Sequence, residues 1–170
     1  MIRTILRKMI RSSEKKLGVP LDEGRYMLEH SPGATLAFST VQIWADRHKS
    51  LPAEAYYVAK IGAYLEEDCG TCLQIAVNVA LKSGVNRELV RNAAQGREEL
   101  LSPELRDVYR FAQRQANRQD DDAARDRLRA RYGDEGLIEL ALAIGSARLF
   151  PAVKRTLGFA KSCSLVRVVA

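Results

Sequence analysis

The spacing of apolar residues constrains this chain more than any other feature. They recur every third or fourth position along most of its length, and only Leu165 to Val169 offers a short alternative, a strand or a helical tail. Helix punctuation sits at regular intervals within that pattern. Ile2, Ile5, Leu6, Met9 and Ile10 mark a first helix, closed by Gly18-Val19-Pro20, and a second covers Asp22 to Glu29. Ser31-Pro32 and Ser50-Leu51-Pro52 read as helix openings, with polar caps and proline in the first turn, for helices reaching about His48 and Glu67. A helix from Cys69 to Ser83 stops at Gly84, and Asn86 caps a short one ending near Gly96. Ser102-Pro103 opens a helix to about Arg118, and Asp120 to Asp122 begin a charged helix through Tyr132. Gly133-Asp134 begin the last helix, through Leu157, with a kink expected at Pro151. The expected fold is an all-α single domain: an N-terminal helix and linker (1–19) followed by a helical body (20–170).

Composition agrees with a packed core. Apolar residues make up 46% and charged residues 28% of 170, the balance of an ordinary globular chain. The most apolar stretch, around Leu137 to Ile144, is interrupted by Glu139 and reads as a core helix rather than a membrane span. The net charge of +6 is concentrated at one end. Arg3, Arg7, Lys8, Arg11, Lys15 and Lys16 face only Glu14 within the first 16 residues, so the remainder is close to neutral. Its charges interleave as on a solvated helical surface, without the basic stripe and aromatics that bind nucleic acid.

Three cysteines are too few for a disulfide framework, and the basic N-terminus lacks the unbroken apolar core and A-x-A-like site of a secretory signal, so the expectation is a reducing cytoplasm, where an isolated C-x-x-C points to redox chemistry or metal. Cys69 and Cys72 lie three apart at a helix start, so their side chains meet across the first turn. Free N–H groups and the helix dipole favour a thiolate there. The helix they open is apolar around most of its circumference, apart from a stripe of Gln74, Asn78 and Lys82, and is expected at the domain centre. Glu66, Glu67 and Asp68 precede the pair. They raise a thiol pKa if they point at it, accept a proton, or are simply solvated. Two plainer readings stay open: half of a zinc site, for which only Cys163, His30 and His48 remain as ligands, and small core residues. His48 is a candidate base only through its titration range.

Three stretches carry a family resemblance: Ala55 to Ala63 leading into Glu67-Asp68-Cys69-Gly70-Thr71-Cys72; Leu73 to Val85 followed by Arg87-Glu88-Leu89-Val90; and Glu139 to Gly145 with Arg148-Leu149-Phe150-Pro151. Over residues 50 to 160 the chain resembles the alkylhydroperoxidase D-like branch of the carboxymuconolactone decarboxylase family. The resemblance implies an orthogonal bundle of helices that forms homo-oligomers. It also implies reduction of hydroperoxides, or disulfide exchange with a thiol electron-donor protein, through the dithiol and without a cofactor or metal. Carried over by motif, Cys72 is the peroxide-reactive thiol and Cys69 the resolving one, with Glu66 added as a candidate catalytic carboxylate. Two family positions depart: the histidine four residues past the second cysteine is Ala76 here, and the glutamate twelve before the first is Tyr57. The expected activity is therefore a weak peroxidase or a disulfide reductase; the alternative is a non-catalytic helical oligomer with structural or metal-binding cysteines.

The basic N-terminal helix completes the expectations. Its apolar stripe predicts packing, across a subunit interface in preference to weak contact with an anionic membrane surface through residues 1–17.

Overall fold

The computed structural model describes residues 2–45 and 48–160; Cys163 and the Leu165–Val169 segment lie outside them. Among the described residues every regular element is helical: α1 (Ile2–Leu17), α2 (Asp22–His30), α3 (Pro32–Ala45), α4 (Ala53–Glu66), α5 (Gly70–Lys82), α6 (Arg87–Ala94), a 3-10 turn (Glu98–Leu100), α7 (Pro103–Ala116) and α8 (Asp122–Thr156).

The most enclosed helix is α4 rather than the dithiol helix. Ten consecutive residues, Ala55 to Tyr64, are buried, because α5, α6, α7 and α8 all pack against it. At Gly62 an added Cβ would stand 3.0 Å from the Tyr109 ring and 3.2 Å from its carbonyl oxygen, so a side chain there would press on α7 at the α4–α7 crossing. The similar Ile144-Gly145-Ser146 segment of α8 has no such constraint, since nothing lies within 4 Å of a Cβ at Gly145. The dithiol helix α5 buries Cys72, Leu73, Ala76, Val77 and Ala80 and turns its polar stripe the other way.

Several boundaries follow local chemistry. Ser102 Oγ accepts from Leu105 N–H, and Asn86 Oδ1 accepts from Glu88 and Leu89 N–H. Gly133, at φ 70° and ψ 178°, breaks α8 where two helices were expected to meet. At α4 the expectation fails. Ser50 does not cap it; Pro52 is the N-cap residue and supplies no side-chain bond. The Ser50 N–H, with those of Lys49 and Leu51, is instead donated to the buried Glu139 carboxylate of α8 at 2.7–2.9 Å. A local sequence pattern was outcompeted by a charged acceptor 88 residues or more away.

By length and composition α8 passes for a membrane-crossing helix, with an 18-residue window of mean hydropathy 1.5, although 44% of that window is buried inside the bundle. Glu139 belongs to this helix, and Leu140, Ala143, Ile144 and Ala147 fill the core against α4.

The N-terminal helix packs on its own chain. Leu6 is buried, whereas Ile2, Ile5 and Met9 remain about half exposed, so the apolar stripe is split between an inward and an outward row. Asn78 Nδ2 donates to the Leu17 carbonyl at 2.8 Å and Lys82 Nζ to that of Lys16, which satisfies carbonyls left open at the end of α1. Gln74 orients Asn78 by donating to its Oδ1. The polar stripe of the dithiol helix is thus the seat of α1. A buried ion pair, Lys154–Glu23 at 3.1 Å, ties α2 to α8.

Candidate functional site

The link between α4 and α5 is only Glu67, Asp68 and Cys69. Asp68 adopts a left-handed conformation, φ 44°, that reverses the chain between the two helices. Cys69 then occupies the N-cap position of α5 in extended geometry, with no side-chain cap bond, and its carbonyl accepts from Leu73 N–H at 2.9 Å. Cys72 follows within the first turn. The two sulfurs stand at disulfide distance, with a Cα–Cα distance of 5.3 Å, inside the ordinary range for a bridge. Both are buried, 0% and 2% exposed, among core side chains. In the reduced state a thiolate at either position would meet the unpaired N–H groups of the first turn and the positive end of the helix dipole.

The acidic residues before the pair have separate fates. Glu66 is exposed and accepts from Gln113 Nε2 of α7 and from Nδ2 of its C-cap residue Asn117, both at 2.7 Å. Glu67 is not the solvated residue its sequence context suggests. Its side chain is 15% exposed and lies between Arg148 (3.4 Å) and Arg155 (3.6 Å), both from α8. Arg155 also donates to the Glu67 carbonyl. These guanidiniums clamp the backbone that leads into Cys69. The spacing of seven, two helical turns, puts Arg148 and Arg155 on one face of α8, a signal present in the sequence that the dithiol motif overshadowed. Glu66, Glu67, Asp68, Arg118, Arg148 and Arg155 together line a cavity of about 300 Å³ beside the link.

The positions of the missing relay are also located. Ala76 is buried one turn past Cys72. Tyr57 is buried at the other end of the helix pair, its hydroxyl 2.9 Å from Ser83 Oγ. Ser83 lies eleven residues beyond Cys72, roughly 16 Å along the helix axis. His48 packs against the rings of Tyr56 (4.3 Å) and Tyr57 (5.6 Å), at that same remote end, and His30 packs on Tyr26. The structure therefore brings Cys69 and Cys72 together with Glu67, Arg148 and Arg155, and leaves His48 and Tyr57 apart from them.

Other buried polar groups serve the fold. Lys60 donates to the Ala45 carbonyl and to the Tyr56 hydroxyl, each at 3.1 Å. The Tyr109 hydroxyl donates to the Ala93 carbonyl at 3.2 Å, and burial raises its pKa above the usual phenol range. Among the described residues no cluster of three histidine, cysteine or carboxylate side chains has the arrangement of a metal site.

Comparison of the chain with protein-family models, with curated proteins and with solved structures gives no match. What distinguishes the site rests on its own geometry: an enclosed cysteine pair at disulfide distance at a helix N-terminus, reached through a link that two arginines hold in place.

Proposed function

We propose that this chain is a dithiol–disulfide redox protein of the alkylhydroperoxidase D-like type, acting as a homo-oligomer through Cys69 and Cys72. The observation that supports this reading is the pair itself, bridged across the first turn of α5 with Cα atoms 5.3 Å apart. In the exchange reaction, the Cys72 thiolate attacks one sulfur of a substrate disulfide and expels the other as a thiolate. Cys69, as a thiolate, then attacks Cys72 in the mixed disulfide and releases the second substrate thiolate. The substrate gains two electrons, the protein closes its disulfide, and a thiol electron donor reopens it by the reverse exchange. With a hydroperoxide, Cys72 attacks the terminal oxygen and becomes a sulfenic acid as the alcohol leaves; Cys69 displaces water to give the same disulfide. The alcohol leaves more easily when protonated. Ala76 has no proton to give and Tyr57 is turned to Ser83, so disulfide exchange is favoured over peroxide reduction.

One observation favours a second reading, a structural bridge: both cysteines are almost fully buried. The two readings differ in reversibility. The full chain is equilibrated in glutathione buffers of graded potential, quenched with an alkylating agent and mapped by mass spectrometry. A redox protein gives a Cys69–Cys72 bridge that opens and closes in the folded state, with Cys163 free throughout, and catalyses thiol-driven reduction of a protein disulfide such as insulin. A bridge that opens only on unfolding, or one that always includes Cys163, overturns the proposal.

A further inference from the structure

Arg3, Arg7 and Arg11 stand on successive turns of α1, forming one ridge. All three are exposed, and none makes an ion pair with another described residue. Three exposed arginines on other helices are neutralised locally: Arg110 by Glu98, Arg114 by Asp121 and Arg127 by Asp107, at 2.6–2.7 Å. The ridge is also placed against its own helix. Like charges four apart repel, and Arg3 lies in a first turn that contains no acidic residue, where the helix dipole disfavours a cation. A helix that holds these cations together carries an electrostatic cost that an anion would relieve.

The ridge borders a cleft. Arg3, Arg7 and Arg11 line a space of about 610 Å³ between α1 and α2, together with Arg25, Glu14 and Glu29, and with Ile10 and the buried Leu28 as its apolar part. That volume is in the range of small-molecule sites. Glu14 is already engaged, accepting from Leu21 N–H at 2.9 Å and from Arg25. Arg25 is paired with Glu14 and Asp22, so the cleft's excess positive charge comes from Arg3, Arg7 and Arg11, with Glu29 the remaining carboxylate of the lining.

We propose that the α1–α2 cleft is an anion site that takes a phosphate group, with Arg3, Arg7 and Arg11 as its ligands. A single carboxylate offers one edge to one guanidinium fork. A phosphate group offers three oxygens and can be held by forks from two successive turns. The apolar wall of Ile10 and Leu28 accommodates the organic part that bears the phosphate, which is either a soluble phosphorylated molecule or a lipid headgroup. The lining of this cleft shares no residue with the clamp on Glu67.

The test uses the full chain and two probes: inorganic pyrophosphate in calorimetry, and phosphatidylcholine vesicles with and without phosphatidic acid in co-sedimentation. The expected result is saturable binding that weakens with added salt, falls roughly tenfold or more in Arg7→Gln, and is lost in the Arg3→Gln/Arg7→Gln/Arg11→Gln variant. These side chains are exposed, so unchanged circular dichroism and melting show that the variants fold. Binding of pyrophosphate assigns the site to soluble phosphorylated ligands; binding of phosphatidic acid vesicles alone assigns it to headgroups. Failure of both probes, binding unaffected by the triple variant, or equal binding to vesicles without phosphatidic acid overturns the proposal.

Discussion

Removing the clamp on Glu67 should expose the dithiol. Cys69 and Cys72 are 0% and 2% exposed, so any reagent reaches their sulfurs only after local opening of the 67–69 link or the start of α5. Three interactions oppose that opening: the ion pairs of Glu67 with Arg148 and Arg155, and the hydrogen bond from Arg155 to the Glu67 carbonyl. The arginine side chains are 36% and 53% exposed, so each ion pair is discounted for solvent to about 0.5 kcal/mol. The charged hydrogen bond to the carbonyl adds about 1 kcal/mol. Together they hold the link by about 2 kcal/mol, which corresponds to roughly a 30-fold shift in the opening equilibrium. In an Arg148→Gln/Arg155→Gln variant, reduced beforehand, the rate of thiol alkylation by a slow reagent should rise by about that factor, because modification then follows the open population. Global stability measured by urea should fall by no more than about the same 2 kcal/mol. An alkylation rate equal to that of the unaltered protein would refute the reasoning: the sulfurs would be reached by a route that leaves the clamp closed.

Two further outcomes follow from the same structure. Ala76→His places an imidazole one turn past Cys72 and should raise hydroperoxide turnover by about a hundredfold, while overpacking a buried position costs about 1–3 kcal/mol of stability. Tyr57→Glu should add nothing to that rate, since position 57 faces Ser83 at the far end of α5; a gain from Tyr57→Glu alone would contradict the placement. The hydrogen bond from Arg127 holds the Asp107 carboxyl below its usual pKa, so its stabilisation is present above about pH 4 and is lost as the pH falls through the lowered folded-state value. Urea titrations of Asp107→Asn should accordingly show a small loss of stability at neutral pH that disappears in strong acid.

Much of the chain was legible residue by residue because it depends on local chemistry. The three-to-four spacing dictated helices, since that period alone places apolar side chains on one side of each segment. Asn86 and Ser102 act as caps as written, because a cap bond reaches only two or three residues. The meeting of Cys69 and Cys72 is of the same kind, a contact within one turn. Contacts between distant residues followed other rules. Ser50 has the local signature of a cap, yet its N–H goes to Glu139, an acceptor that no nearby pattern announces. The spacing of Gln74, Asn78 and Lys82 marks a polar stripe but not what it meets; Asn78 and Lys82 receive the end of α1. Glu67 reads as solvated and is clamped by α8. In the sequence α5 reads as the central helix; the packing of four helices around α4 gives that place to α4. Periodicity specifies which face of a helix is apolar, and by itself determined the helices and the dithiol. Which helix covers that face, and which distant charge satisfies a polar group beside it, is settled only when the helices pack, and that decided the surroundings in which the two sulfurs act.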